Sequence, residues 1–244
     1  MAKSLLYLRK GGPSAQKAKE IMSKAIVLLS GGLDSCVALH VAQRDGHDVS
    51  ALSFDYGQKH SKELECARRI AARAKVRSHS VVTLDLAQWG GSTLTDASRP
   101  VADGDLQGAQ IPPTYVPARN MVFLSVAASL AEAQGAEHIY IGVSQVDYSG
   151  YVDCRRVFIE AMERAINLGT VMGAEQGRPI RVHAPFEDMT KADEIRLGLS
   201  LGVDFGLTWS CYRGGERPCG TCDSCLLRAK AFAEAGVADP ALSL

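Results

Sequence analysis

An apolar run from Ala25 to Leu29 breaks into Ser30-Gly31-Gly32-Leu33-Asp34-Ser35 and then into a helical pattern. No other segment constrains the fold as much, because a strand that enters a helix through two adjacent glycines forms a cradle for an anion. The glycines let backbone approach the anion, consecutive N–H groups turn inward, and the helix brings the positive end of its dipole to the same place. Ser30 and Ser35 add hydroxyl donors. Asp34 would repel bare phosphate, so its carboxylate makes most sense holding a magnesium ion that itself carries the phosphates. The loop predicts a nucleotide with a metal. Taken alone, the glycine pair is also compatible with a tight turn capped by Asp34 or Ser35.

Two common nucleotide patterns are missing. There is no Gly-Lys-Ser/Thr ending, which argues against ordinary transfer of a terminal phosphate, and no set of three spaced dinucleotide-binding glycines. The Ser-Gly-Gly-x-Asp-Ser pattern instead resembles the pyrophosphate-binding loop of the ATP pyrophosphatase (PP-loop) superfamily. Its members activate a carboxylate or carbonyl by adenylation and release pyrophosphate.

Strand-like runs alternate with helix-period stretches from Lys24 onward, which predicts an α/β fold with a doubly wound parallel sheet. Strands are expected at Ala25–Leu29, Val49–Phe54, Ser78–Val82, His138–Ile141 and Ile180–His183. Helices are expected at Asp34–Gln43, Lys59–Ala74, Arg119–Ala133, Cys154–Leu168, Lys191–Leu201 and Ser224–Glu234. Ligands of such sheets collect beyond the strands' carboxyl ends, where Ser30–Ser35, Asp55–Tyr56 and Gly142–Tyr151 project. The irregular stretch Gln88–Ala118 is too long for a mere connection and reads as a lid or substrate loop. Residues 1–21 read as a non-core leader, either translated from an early start codon or forming a short helix from Ala15 to Met22. The main domain is then 22–203, followed by a C-terminal segment, 204–244.

That segment holds Cys211, Cys219, Cys222 and Cys225, separated by seven, two and two residues. Gly214-Gly215 and Pro218-Cys219-Gly220 supply sharp turns, and four thiolates complete a closed tetrahedral zinc shell. An iron–sulfur cluster or disulfides are the alternatives that the spacing leaves open. A closed zinc shell is structural, so its expected work is to fasten the last helix and shape one wall of the crevice. Cys36 and Cys66 sit among Val, Ala and Ile and are expected in the core. Cys154 stands in a polar run at a strand end, where substrate contact competes with burial.

Taken together, the blocks resemble the 7-cyano-7-deazaguanine synthase family over nearly everything after Met22. The matching blocks are Leu29–Leu39, Phe54-Asp55-Tyr56-Gly57-Gln58-Lys59-His60, Val116-Pro117-Ala118-Arg119-Asn120, Asp147-Tyr148-Ser149-Gly150-Tyr151-x-Asp153-Cys154-Arg155, Thr190-Lys191-Ala192 and Thr208-Trp209-Ser210-Cys211 with the cysteine trio. The resemblance implies an adenine nucleotide alpha hydrolase-like fold with a zinc-binding C-terminal segment. It also implies a ligase acting on 7-carboxy-7-deazaguanine, ammonia and ATP. Its carboxylate would be adenylated, converted to an amide, then activated again and dehydrated to the nitrile that feeds queuosine biosynthesis.

On this reading Leu29, Ser30, Gly31, Gly32, Leu33, Asp34, Ser35, Cys36, Val37, Ala38 and Leu39 form the nucleotide element, with Phe54 and Tyr56 toward adenine, unless that aromatic pair is core. Asp34, Lys191 and Arg119 are the catalytic candidates. A lysine in a helix's first turn is unfavourable to the dipole, which argues for an anionic neighbour, although a solvated lysine is the simpler alternative. Arg119 suits a two-pronged grip on phosphate or substrate carboxylate; a surface ion pair is its dull alternative. Asp147, Ser149, Tyr151, Asp153 and Arg155 are expected around the deazapurine, with either Asp reading its guanine-like edge.

Two positions depart from the family pattern. Ala118 replaces a usual Gly, and an alanine there is expected to tolerate only negative φ. Val152 replaces a usual Pro, which loosens the substrate loop. A transfer-RNA thiolase on the same core, or a relative using another acceptor, are the rival enzymes, and a zinc-ribbon binding module is the rival without catalysis. Lys plus Arg (27) equals Asp plus Glu (27), so no global basic field would gather nucleic acid. No apolar run approaches the roughly 18 residues of a membrane span. The expected protein is a cytoplasmic homodimer working on small molecules, with ATP, Mg2+ and Zn2+ as cofactors and no direct nucleic-acid or membrane partner.

Overall fold

Side-chain alternation along the first strand divides the core in two. In the computed structural model, which describes residues 22–59, 61–105, 111–144 and 150–242, β1 (Lys24–Leu28) sends Ala25 and Val27 to one face and Ile26 and Leu28 to the other. All of these are buried, as an interior parallel strand requires. Residues 1–21, which include most of the expected Ala15–Met22 helix, lie outside the described residues, as do His60, 106–110, 145–149 and 243–244.

The chain continues through α1 (Leu33–Arg44), β2 (Asp48–Asp55), α2 (Lys62–Arg73), β3 (Ser78–Thr83), α3 (Arg119–Gln134) and β4 (His138–Tyr140). Then come α4 (Arg156–Gly169), α5 (Val171–Ala174), β5 (Arg181–His183), α6 (Lys191–Ser200) and α7 (Asp223–Ala235). The five strands are parallel in the order β3-β2-β1-β4-β5. Helices α1, α2, α6 and α7 contribute to the core on one face, while α3 and α4 pack on the other. This is the expected doubly wound sheet. Each fully buried Val, Leu or Ile in these layers contributes roughly 1.5–3 kcal/mol.

Strand order reverses between β1 and β4, and the loops leaving their carboxyl ends diverge to open a crevice. Gly142 follows β4 where a Cβ would stand 2.8 Å from the Asp34 backbone carbon and 2.9 Å from Ser35 N. Only a glycine lets the β4 loop lie this close to the start of α1.

Most elements fall within a few residues of the expected boundaries, with three differences. Helix α2 starts at Lys62 rather than Lys59, because Gly57 at φ +83 keeps the preceding chain in a turn. Helix α4 starts at Arg156 rather than Cys154, after a 3-10 turn over Val152–Cys154. The short α5 was not anticipated; its Thr170 side chain accepts a hydrogen bond from Gly173 N at 3.3 Å. Beyond a 3-10 turn at Leu86–Trp89, the described part of the Gln88–Ala118 stretch forms no α-helix or strand.

Candidate active site and metal centre

The phosphate loop is held open by its own hydroxyls. Ser35 Oγ donates to Gly32 O at 3.0 Å and accepts from Gly31 N at 3.3 Å, and Ser30 Oγ accepts from Gly32 N at 3.2 Å. Gly31 has φ +92, and a Cβ there would lie 2.1 Å from Glu63 O, so the loop and the first turn of α2 are packed backbone to backbone. From the opposite side of the sequence, Trp209 N donates to Gly31 O at 2.9 Å.

Above this loop lies a cavity of about 260 Å³. Of the expected nucleotide residues, Leu29, Ser30, Gly32, Leu33, Asp34, Ser35, Phe54 and Tyr56 line it. Gly31 lies buried behind them, and Cys36, Val37, Ala38 and Leu39 continue down α1 into the core, 0–2% exposed. Phe54 stacks on Phe123 with ring centroids 3.9 Å apart, so it belongs to the core and also lines the crevice.

Lys191 and Arg119 reach the same cavity from two helix starts. Thr190 caps α6 by accepting from Asp193 N at 3.1 Å, and Lys191, the next residue, places Nζ 2.5 Å from Asp34 Oδ1. The anionic neighbours that its awkward position called for are therefore Asp34 and the buried Glu194, whose Oε2 lies 3.5 Å from Nζ. Arg119 opens α3, donates Nη1–H to Tyr56 Oη at 3.3 Å and lies over the Tyr56 ring.

The residue that aims Arg119 corrects one expectation. Ala118 has φ 53 and ψ 25, the left-handed region, and not the negative φ expected of an alanine replacing glycine. The turn is retained and the strain accepted, because Ala118 N is held by Tyr115 Oη at 3.1 Å while the next two residues enter α3.

Of the residues expected around the deazapurine, Asp147 and Ser149 lie outside the described residues. Tyr151 lines the cavity, its Oη 3.0 Å from Thr114 Oγ1. Asp153 is placed differently: it is buried, and its carboxylate accepts from Asn120 N at 3.0 Å at the start of α3, as a helix cap does. Arg155 is exposed and does not line the cavity. Cys154 is 5% exposed at the cavity wall and receives Asn120 Nδ2–H at 3.3 Å.

Glu63 escaped the sequence reading. A glutamate in the first turn of a helix reads simply as favourable to the dipole, but here it is half-buried in the cavity wall. Burial pushes its carboxyl up to about 7, against a lowering by Arg119.

The four C-terminal cysteines converge. One sulfur from each of Cys211, Cys219, Cys222 and Cys225 lies within 4.8 Å of the others. Cys219 N points to Cys211 Sγ and Cys222 N to Cys219 Sγ, both at 3.4 Å, so backbone N–H groups already favour the thiolate forms a metal needs. The donor set suits a closed four-sulfur zinc centre. Around it, the loop before α3 is tied down: Arg213 donates to Val101 O at 3.0 Å, Gly104 N to Thr221 O at 2.8 Å and Asp105 N to Asp223 Oδ1 at 3.0 Å. The buried pair Arg228–Asp239 at 2.7 Å, with Arg228 also donating to Thr208 Oγ1, fastens α7 to the cavity wall.

Comparison with known proteins gives the site a context. Residues 24–236 match the family described as Queuosine biosynthesis protein QueC. The 7-cyano-7-deazaguanine synthase of Clostridium kluyveri is 55% identical over 219 residues, which span 90% of this chain and 97% of the relative. Proteins of the same name from Nostoc punctiforme and Anaeromyxobacter sp. are 51% and 52% identical, over 89% and 92% of this chain and 98% of each relative. Among solved structures, the NMN synthetase of Francisella tularensis aligns with a TM-score of 0.50 at 15% identity, covering 91% of this chain and 82% of that one; the likeness is one of fold.

Proposed function

The chain belongs to the family described as Queuosine biosynthesis protein QueC, and we propose that it is an ATP-dependent carbon–nitrogen ligase. In this reading it converts 7-carboxy-7-deazaguanine and ammonia to 7-cyano-7-deazaguanine, the product that the names of its relatives print. The observation that carries the reading is the convergence of the Ser30–Ser35 loop, Asp34, Lys191 and Arg119 on one cavity in a chain this similar to those relatives.

A carboxylate oxygen attacking the α-phosphate of ATP expels pyrophosphate, and charge grows on the bridging and leaving oxygens. The loop's N–H groups and hydroxyls, with Lys191, stand where they can meet that charge. Asp34 fits a magnesium ion, being a carboxylate beside the phosphate cradle that reaches the cavity; the ion, when bound, would supply charge neutralisation for the triphosphate. Lys191 then shifts from Asp34 toward phosphate as the nucleotide enters. Arg119, braced by Tyr56, binds the carboxylate or the α-phosphate, while Tyr151, with Asp147 and Ser149, contacts the deazapurine. The acyl-adenylate reacts with ammonia to give the amide, and a second adenylation allows dehydration to the nitrile.

The segment 22–203 carries the chemistry in this reading, and the zinc-bound segment 204–244 closes the cavity wall. Seven cysteines form no disulfide, and four of them gather as a metal set, which suits a reducing cytoplasm. No helix among the described residues is long and apolar enough to cross a membrane. Exposed Val157, Leu168 and Val171, at 68%, 82% and 55%, offer an apolar surface for a second copy in a homodimer.

Mass spectrometry of products from ATP, magnesium, ammonium and 7-carboxy-7-deazaguanine tests the reading. A nitrile with AMP and pyrophosphate supports it. The nitrile with ADP and phosphate would keep the substrate and overturn the adenylation route, and absence of deazapurine turnover would overturn both.

A further inference from the structure

Amide formation needs a base as well as phosphate chemistry. Near neutral pH most ammonia is present as ammonium, which has no lone pair for attack, so a group beside the acyl carbon that removes a proton lets the enzyme use the abundant form. Among the described residues that line the cavity there is no histidine, and the carboxylates are Asp34 and Glu63. Asp34 is engaged with Lys191 at the phosphate loop.

Glu63 is differently situated. The first turn of α2 is locked against Gly31 by backbone contact, so the helix end that carries Glu63 cannot drift from the phosphate loop. Across the cavity wall its electrostatic neighbours are Arg119 and Tyr56, the pair placed here at the activated carboxylate. No hydrogen-bonded cation neutralises it among the described residues, in contrast to Asp34. A half-buried carboxylate in the cavity wall with no hydrogen-bonded cation among the described residues is a binding group for a small cation.

We propose that Glu63 binds the ammonium substrate and is the base that frees its lone pair for attack on the acyl-adenylate. This rests on the ligase reading above. Ammonium gives one proton to the Glu63 carboxylate, the nitrogen lone pair forms the C–N bond, and the tetrahedral adduct loses a second proton from nitrogen. The carbonyl re-forms as the C–O bond to AMP breaks, and AMP leaves with the bonding pair. The balance is acyl-adenylate plus ammonium giving amide, AMP and two protons, which pass to solvent. A carboxyl pushed up to about 7 populates both forms at neutral pH, so it can accept the proton and release it in each cycle.

Glu63→Gln separates the steps. Substrate-dependent exchange of labelled pyrophosphate into ATP reads adenylation, which needs no nitrogen nucleophile, and is expected within about threefold of the wild type. Single-turnover amide formation with ammonium should fall by about 100-fold or more. Hydroxylamine, largely unprotonated at neutral pH, should restore nitrogen transfer, seen as hydroxamate. Glu63→Asp, with a carboxylate one carbon shorter, should retain more ammonium-dependent activity than Glu63→Gln. Unchanged amide formation in Glu63→Gln would overturn the proposal, and so would an equal loss with hydroxylamine or loss of exchange, either of which would make Glu63 a structural support. No exchange by the wild-type protein would instead overturn the ligase reading, and the role of Glu63 with it.

Discussion

Lys191 Nζ stands 2.5 Å from Asp34 Oδ1, bridging the first turn of α6 to the phosphate loop after β1. The pair keeps a cation and a carboxylate poised at one point of the cavity, where the proposed nucleotide and its metal would meet them. Lys191→Ala should lower adenylation on the order of 10²–10³-fold, the scale of removing one charge-stabilising donor. Asp34→Ala should abolish ATP turnover while the circular dichroism spectrum stays native. Full activity in the Asp34 variant would refute its magnesium role.

Ala118→Gly removes a left-handed alanine. The strain released is about 1–2 kcal/mol, and glycine's added freedom in the unfolded chain takes back about 0.4–1 kcal/mol. The expected net change is a gain of up to about 1.6 kcal/mol in denaturant unfolding. Ala118→Val should move the midpoint the other way, because a β-branched residue fits φ 53 worse than alanine. Equal stability of the three proteins would show that the turn relaxes.

Cys222→Ser should lower zinc content and thermal stability together, by roughly 10 °C or more if several kcal/mol are lost. The loop tied to this segment should loosen with it. Amide exchange at Gly104 and Asp105, whose N–H groups bond to Thr221 O and Asp223 Oδ1, is the direct readout. Unchanged metal stoichiometry would mean that Cys222 is not a ligand.

Acid should weaken the far end of the sheet. His47 stacks on His138 at 4.2 Å, and His138 Nδ1 lies 3.0 Å from His183 Nε2. Burial, followed by mutual repulsion, lowers the pKa of His138 and His183, and burial lowers that of His47 despite Asp45. Folded-state values below the unfolded 6.5 mean that the unfolded chain binds more protons, so stability declines as pH drops below about 6.5. Denaturant unfolding between pH 7.5 and 5.5 should show a shallower decline for His138→Asn than for the wild type. Parallel slopes would exclude the cluster as the cause.

The sheet was legible because periodicity reports burial, and interior strands such as Ala25–Leu29 are apolar throughout. The phosphate loop and the cysteine set were legible because their chemistry needs particular residues at short spacing. The engagement of Asp153 with the start of α3 was not legible for a physical reason: a carboxylate that caps a helix start and one that reads a base edge look the same in a sequence. Its partner, Asn120 N, comes from a separate block. Glu63 was invisible because its place in the cavity wall depends on packing between α2 and Gly31, residues joined by no local pattern. The left-handed Ala118 shows that a tertiary framework can impose a backbone state that the residue alone disfavours.

The hydrogen bond from Trp209 N to Gly31 O has a consequence for the order in which the protein is made. The phosphate loop is synthesised long before Trp209, yet one of its carbonyls waits for that partner. A nascent polypeptide halted before Trp209 lacks that partner and the α7 wall, and should not retain ATP on an affinity resin. Completion of the loop thereby becomes a late event of synthesis, because its last backbone partner arrives with Trp209.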